Sequence, residues 1–172
     1  MISKKLEAAI NDQIALEEQS SRIYLAMASW CEVQGLSGAA KFLYQHSDEE
    51  RVHQLKFVHY LNDRGGHSVL QSLPQPGAEY KNMDELFDMV LKHEQHVSKK
   101  INELVDICLE ERDHTTNNFL QWFVTEQIEE ESLVRSVVDK IKLVGESKVG
   151  NFHIDNFLAG LAAAEAAAEA AE

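Results

Sequence analysis

Glycine and proline, only eight and two in this chain of 172 residues, are confined to a few places, and the stretches between them are too long and too regularly patterned to be strands. Gly35 and Gly38 mark one break, and Gly65, Gly66, Pro74, Pro76 and Gly77 a second. Gly145 and Gly150 mark a third, with Gly160 alone beyond it. The segment from 83 to 144 exceeds one globular helix, and the cap-type residues of Asp113-His114-Thr115-Thr116 divide it. Asn82 followed by Glu85 has the form of a capping box. Four helices result: α1 (about 3 to 34), α2 (about 37 to 64), α3 (about 83 to 113) and α4 (about 115 to 144). Short α1/α2 and α3/α4 connections make two antiparallel hairpins. The roughly 18 residues between α2 and α3 reach up to about 60 Å when extended, enough to cross a helix about 40 Å long. The predicted fold is all-α: a four-helix bundle with one long α2-to-α3 crossover and a short fifth helix near residues 152 to 161.

Within this frame each apolar stripe is interrupted by acid. The stripe of α1 reads Leu6, Ile10, Ile14, Glu17, Ser21, Tyr24, Ala28, and that of α2 reads Phe42, His46, Glu50, His53, Phe57, Tyr60. On α3 it reads Phe87, Val90, Glu94, Val97, Ile101, Leu104, Cys108, and on α4 Phe119, Trp122, Glu126, Glu130, Leu133, Val137, Ile141. Counted from the shared turns at 1.5 Å per residue, Glu17 and Glu50 differ in level by about 6 Å, as do Glu94 and Glu130. All four acids therefore meet near mid-bundle, with His53 one turn from Glu50. An ionised carboxylate buried without a counter-charge costs several kcal/mol. No Lys or Arg stands mid-stripe to neutralise them. Protonation or a metal remains.

Hard oxygen donors with one imidazole suit Fe²⁺, Fe³⁺, Mn²⁺ or Zn²⁺ rather than Cu⁺. Four carboxylates balance two divalent ions, and a pair about 3.5 to 4 Å apart leaves the least residual charge. Di-iron carboxylate bundles place Glu-x-x-His on two helices, whereas this chain has one such motif in its core, Glu50/His53; Glu111/His114 falls at a helix end and reads as a capping or solvated pair. His46, one turn before Glu50, reads as a core or supporting histidine rather than a ligand.

The chain resembles the non-haem bacterial and archaeal ferritins over residues 1 to about 158. The resemblance rests on Glu17 with Tyr24, on Glu49-Glu50-Arg51-Val52-His53, on His93-Glu94, and on Asn118-Phe119-Leu120-Gln121-Trp122-Phe123 leading to Glu126-Gln127-Ile128-Glu129-Glu130-Glu131. It implies a ferroxidase centre in which Glu17, Glu50 and His53 hold one iron and Glu94, Glu130 and a bridging Glu50 hold the other. It further implies a third iron site at Glu49, Glu126, Glu129 and Glu130, Gln127 hydrogen-bonding into the centre, and Tyr24 beside it. The implied activity is oxidation of Fe²⁺ to Fe³⁺ by O₂ or H₂O₂, with ferric mineral stored in a homo-oligomeric shell of 24 subunits. No haem is expected, because the haem-bearing relatives carry a second Glu-x-x-His on the fourth helix, where Glu130 stands here.

Composition supports this reading. Sixteen basic against 29 acidic residues give a net charge of −13, which disfavours nucleic acid and anionic membrane and attracts cations. Two cysteines make no disulfide framework, and MISKKLEAAINDQ carries no apolar run, so the expected compartment is the cytoplasm. The departure from the family is the C-terminus. Residues 1 to 161 read as the di-iron domain and 162 to 172, AAAEAAAEAAE, as an Ala/Glu extension, helix-forming but without a large apolar residue to dock it. The resemblance places the fifth helix at the four-fold contacts of the shell, so this departure bears on the pore and on assembly. The competing reading is a helical assembly in which metal only neutralises buried acids, without redox chemistry.

Overall fold

A computed structural model, describing residues 2–145 and 147–169, shows five helices and, among the described residues, no strand. They are α1 (Lys4–Val33), α2 (Ser37–Asp63), α3 (Met83–Glu111), α4 (His114–Val144) and α5 (Lys148–Glu169). The caps sit where the sequence puts them. Ser3 Oγ accepts the Leu6 N–H at 3.1 Å, Asn82 Oδ1 accepts that of Glu85 at 2.9 Å, and Asp113 Oδ1 accepts that of Thr116 at 2.9 Å. Asp113 also binds Arg64 at 2.9 Å, which ties the end of α2 to the start of α4.

The bundle core is two hydrophobic clusters with a polar layer between them. One cluster unites Leu6, Ile10 and Ile14 of α1, Phe57 and Leu61 of α2, Val97 to Cys108 of α3, and Leu120 and Phe123 of α4. The other holds Tyr24 to Cys31, Ala39 to Leu43, Met83 to Val90 and Val134 to Ile141. The C-terminal halves of α2 and α3 share a cluster, so these helices run parallel, as the long crossover requires. Glu17, Glu50, His53, Glu94 and Gln127, all buried, lie between the clusters. No described helix is long and apolar enough to cross a membrane.

The stripe of α4 agrees with the sequence expectation at Val137 and Ile141 and differs from it before them. Its buried residues are Thr116, Leu120, Phe123, Gln127, Val134, Val137, Val138 and Ile141. Phe119, Glu126, Glu130 and Leu133 are half-buried, and Trp122 is exposed. Two adjacent i, i+3/i+4 rows on α4 are both apolar, and burial of Phe123 and Leu120 selects the row rotated about 100° from the expected one.

The fifth helix also differs. The expectation ended it at Leu161 and left the Ala/Glu segment undocked; instead α5 continues to Glu169. Ile154, Leu158 and Ala162, spaced by four, are buried in the same cluster. Alanine suffices there because its small side chain lets the helix axis come close. Ala163, Ala164 and Ala166 to Ala168 are exposed, and the rest of the expected extension, residues 170 to 172, lies outside the described residues. Close approach recurs at Gly38, where a Cβ would stand 1.9 Å from the Asp155 carbonyl oxygen. Leu36, at the N-cap of α2, supplies no side-chain acceptor, and Asp155 Oδ1 of α5 instead accepts the Ala39 N–H at 2.8 Å. Asp155→Ala is expected to cost about 1 kcal/mol, lowering the melting temperature by roughly 2–4 °C. Calorimetry on the variant checks this; an unchanged midpoint would mean that the bond contributes nothing to docking.

Candidate metal centre

Helical spacing brings the layer's side chains together. Position 17 of α1 continues the row Leu6, Ile10, Ile14, so Glu17 must point inward; positions 50 and 53 of α2 lie between buried His46 and Phe57. One donor atom from each of Glu17, Glu50 and His53 falls within 4.8 Å of the others, and all three residues are buried. His53 Nδ1 stands 3.4 Å from Glu50 Oε2, and its Nε2 stands 3.9 Å from Glu126 Oε1. Trp122 and Phe123 pack edge-on against the His53 ring at 5.4 and 6.0 Å, fixing its plane. Lys56 covers the outer face of Trp122, its Nζ 3.0 Å from the ring centroid, which accounts for an indole that stays at the surface.

Glu94 is held differently. Tyr24 donates its hydroxyl to Glu94 Oε1, and Gln127 Nε2 donates to Oε2 at 3.0 Å and to the Glu94 backbone oxygen at 3.3 Å. Both predicted supporting residues therefore touch this carboxylate. Glu130, half-buried, joins a second group with His46 and Glu49, donor atoms again within 4.8 Å. Among the sequence-predicted ligands, Glu126 reaches the edge of the centre through His53, and Glu129 is exposed and in neither group. Sequence reading missed Gln13, whose Nε2 donates to Glu17 Oε1 at 2.8 Å; its spacing of four before an inward acid was the available signal. His46, read from the sequence as a core or supporting histidine, is buried and stands in the second group.

Electrostatics show how uncomfortable the layer is without cations. Burial pushes Glu17 well above the carboxylate range, and the Glu50 charge adds to the effect. Burial does the same to Glu50, reinforced by Glu94. Glu94 rises to about 7, from burial first and Glu130 second. Tyr24 is raised by burial and by the neighbouring acids. Glu130 is the exception: burial opposes its charge, but His46 beside it outweighs burial and holds it below the usual range. Glu17 Oε2, Glu50 Oε2, Glu130 Oε2 and His46 Nε2 are buried without a hydrogen-bond partner. Orphaned acceptors converging from three helices are a donor set suited to divalent metal.

Comparison with known proteins agrees. A ferritin-like domain model matches residues 7–144. The chain is 42% identical over 162 residues to a bacterial non-heme ferritin of Campylobacter jejuni, covering 94% of this chain and 97% of that one. It is 44% identical over 161 residues to a probable bacterial non-heme ferritin-like protein of Haemophilus influenzae, covering 94% and 98%. The open pore ferritin of Archaeoglobus fulgidus superimposes with a TM-score of 0.90 at 37% identity, covering 92% of this chain and 96% of that one. With a family match across the whole bundle and such relatives along nearly its full length, this chain belongs to the ferritin family.

Proposed function

We propose that the protein is an iron-storage ferritin whose bundle interior oxidises Fe²⁺, its substrate, to Fe³⁺ at a two-iron site. The observation that carries this reading is the polar layer: buried carboxylates on α1, α2 and α3, one histidine, and orphaned oxygens facing one another. Glu17, Glu50 and His53 bind one Fe²⁺, and Glu94 and Glu130, sharing Glu50, bind the second. Two Fe²⁺ supply two electrons, which reduces O₂ to peroxide or H₂O₂ to water; either oxidant suits the site. Gln127 and Tyr24 fix the Glu94 carboxylate toward its neighbours and are positioning residues. Glu49, Glu126, Glu129 and Glu130 receive a third ion on its way to or from the pair.

The ferric product is stored in a homo-oligomeric shell, of 24 subunits as in the family, located in the cytoplasm. Exposed apolar side chains along several helices, Leu25, Val52, Leu109 and Ile128 among them, support subunit contacts, and the acidic balance supports cation entry. Aerobic loading with excess Fe²⁺, followed by size exclusion, tests the reading. Ferric iron far beyond the site's capacity should elute with a large protein particle. Iron oxidised no faster than in buffer and precipitated outside the protein would refute it.

A further inference from the structure

Glu94 and Ser98 stand one turn apart on α3, and Gln127 and Glu131 one turn apart on α4, so the antiparallel hairpin sets the two pairs face to face. The polar contacts between them form a line. Gln127 Nε2 lies 3.0 Å from Glu94 Oε2, 3.3 Å from the Glu94 backbone oxygen and 3.4 Å from Ser98 Oγ. Ser98 Oγ donates to Glu131 Oε1 at 2.6 Å, and Arg135, a further turn along α4, reaches Glu131 Oε2 at 3.2 Å. The line thus runs from buried Glu94, through a Gln127 that is only 6% exposed, to an ion pair at the surface. Ser98, Glu131 and Arg135 belong to none of the ligand sets above.

The two ends of a glutamine amide are nearly alike in shape and opposite in chemistry, one donating and one accepting. With its nitrogen inward, Gln127 gives Glu94 a donor. With the amide turned over, Oε1 would face two acceptors of Glu94, and Ser98 would be the one group of the three able to donate to it. Glu131 removes that option, because its carboxylate takes the Ser98 hydrogen in a short, charge-assisted bond. Ser98 then shows the amide only lone pairs, and the turned orientation would leave a buried oxygen among acceptors. An open groove of about 260 Å³ between α3 and α4 runs past Ser98, Gln127 and Glu131. Removing the hydroxyl therefore admits water, which can donate to either end of the amide and releases its orientation.

We propose that Ser98 and Glu131 are positioning residues for the two-iron site, fixing the Gln127 amide with its nitrogen toward Glu94 and so favouring the anionic Glu94 that the second iron requires. Arg135 holds Glu131 in place for this task. The inference rests on the reading of the polar layer as a two-iron site.

Crystals of the full-length protein soaked over a series of Zn²⁺ concentrations give, from anomalous peak heights, an affinity for each position separately. In the unaltered protein zinc should fill one position bounded by Glu17, Glu50 and His53 and another bounded by Glu94 and Glu130. Ser98→Ala should weaken the Glu94 position about fivefold and leave the His53 position unchanged, and Ser98→Thr, which keeps the hydroxyl, should restore it. Glu131→Leu should act like Ser98→Ala, whereas Glu131→Gln, whose amide oxygen still accepts from Ser98, should retain full affinity. A Ser98→Ala protein indistinguishable from the unaltered one, or one weakened equally at both positions, would overturn the inference and leave the reading of the polar layer standing. The same holds if either conservative variant fails as badly as its disruptive counterpart. Zinc at neither position in the unaltered protein would overturn both.

Discussion

Glu50→Gln should slow Fe²⁺ oxidation by at least about 10- to 100-fold and at the same time raise the thermal stability of the metal-free protein at pH 8. The two effects share one origin. Glu50 is the acid that both proposed irons use, and it stands between Glu17 and Glu94, each of which raises or is raised by its charge. An amide of the same shape keeps the packing of this buried position but cannot balance a cation. In the absence of metal, the amide also removes a buried group that resists ionisation. The gain should be about 1–3 kcal/mol at pH 8, by analogy with buried charges replaced by neutral groups, or several degrees in melting temperature. It should shrink toward zero near pH 5, where Glu50 is already neutral. Stopped-flow absorbance at the ferric band and calorimetry of chelator-treated protein check both halves. A variant with unaltered oxidation rate would remove Glu50 from the centre; a less stable one would mean that its carboxylate is satisfied in the metal-free fold.

Metal-free protein should lose stability as pH rises from about 4.5 through 7 and beyond, and a divalent ion should restore it. Glu17, Glu50 and Glu94 have folded values above the ordinary 4.5, so the folded chain binds more protons than the unfolded one across this window. Their stabilising contribution is complete below the unfolded value and disappears as pH passes the folded ones, about 7 for Glu94. His46, where the acids around it overcome burial and raise it to about 9, has the same sign with its loss at higher pH. Glu130, shifted down, opposes the trend weakly. Metal selects the anionic carboxylates, so its stabilisation grows as pH rises and its binding releases protons. At pH 8 and a thousandfold excess over the dissociation constant, Zn²⁺ should add about 4 kcal/mol, roughly ten degrees in melting temperature. A pH series of melting curves with and without Zn²⁺ reads this directly. A metal-free protein whose stability rises steadily from pH 5 to 8 would show that the acids are ionised and satisfied without cations.

Much of this was legible in the chain. Glycine spacing, Asn82 and Asp113 gave the ends of α1 to α4 to within two residues, because caps are local chemistry. Glu17, Glu50 and Glu94 were legible because each replaces an apolar residue in an otherwise unbroken stripe, and all three are buried. The phase of α4 was not, since Phe119 and Trp122 offer as good a row as Leu120 and Phe123. The choice was made by tertiary packing: Phe57 stacks on Phe123 at 4.1 Å, and Lys56 caps Trp122 outside. The docking of α5 was hidden for a related reason. A buried alanine is indistinguishable by composition from a solvated one, and only the groove beside Gly38 shows that small side chains are required.

Anaerobic titration of the metal-free protein with Fe²⁺, followed by admission of air, tests the central claim most directly. Iron bound per chain and O₂ consumed are read on one sample. At least two Fe²⁺ should bind tightly per chain with release of protons, and O₂ uptake should begin on mixing and scale with the iron bound. Tight binding with no O₂ consumption would contradict the claim and leave a bundle in which metal serves only to neutralise buried acids.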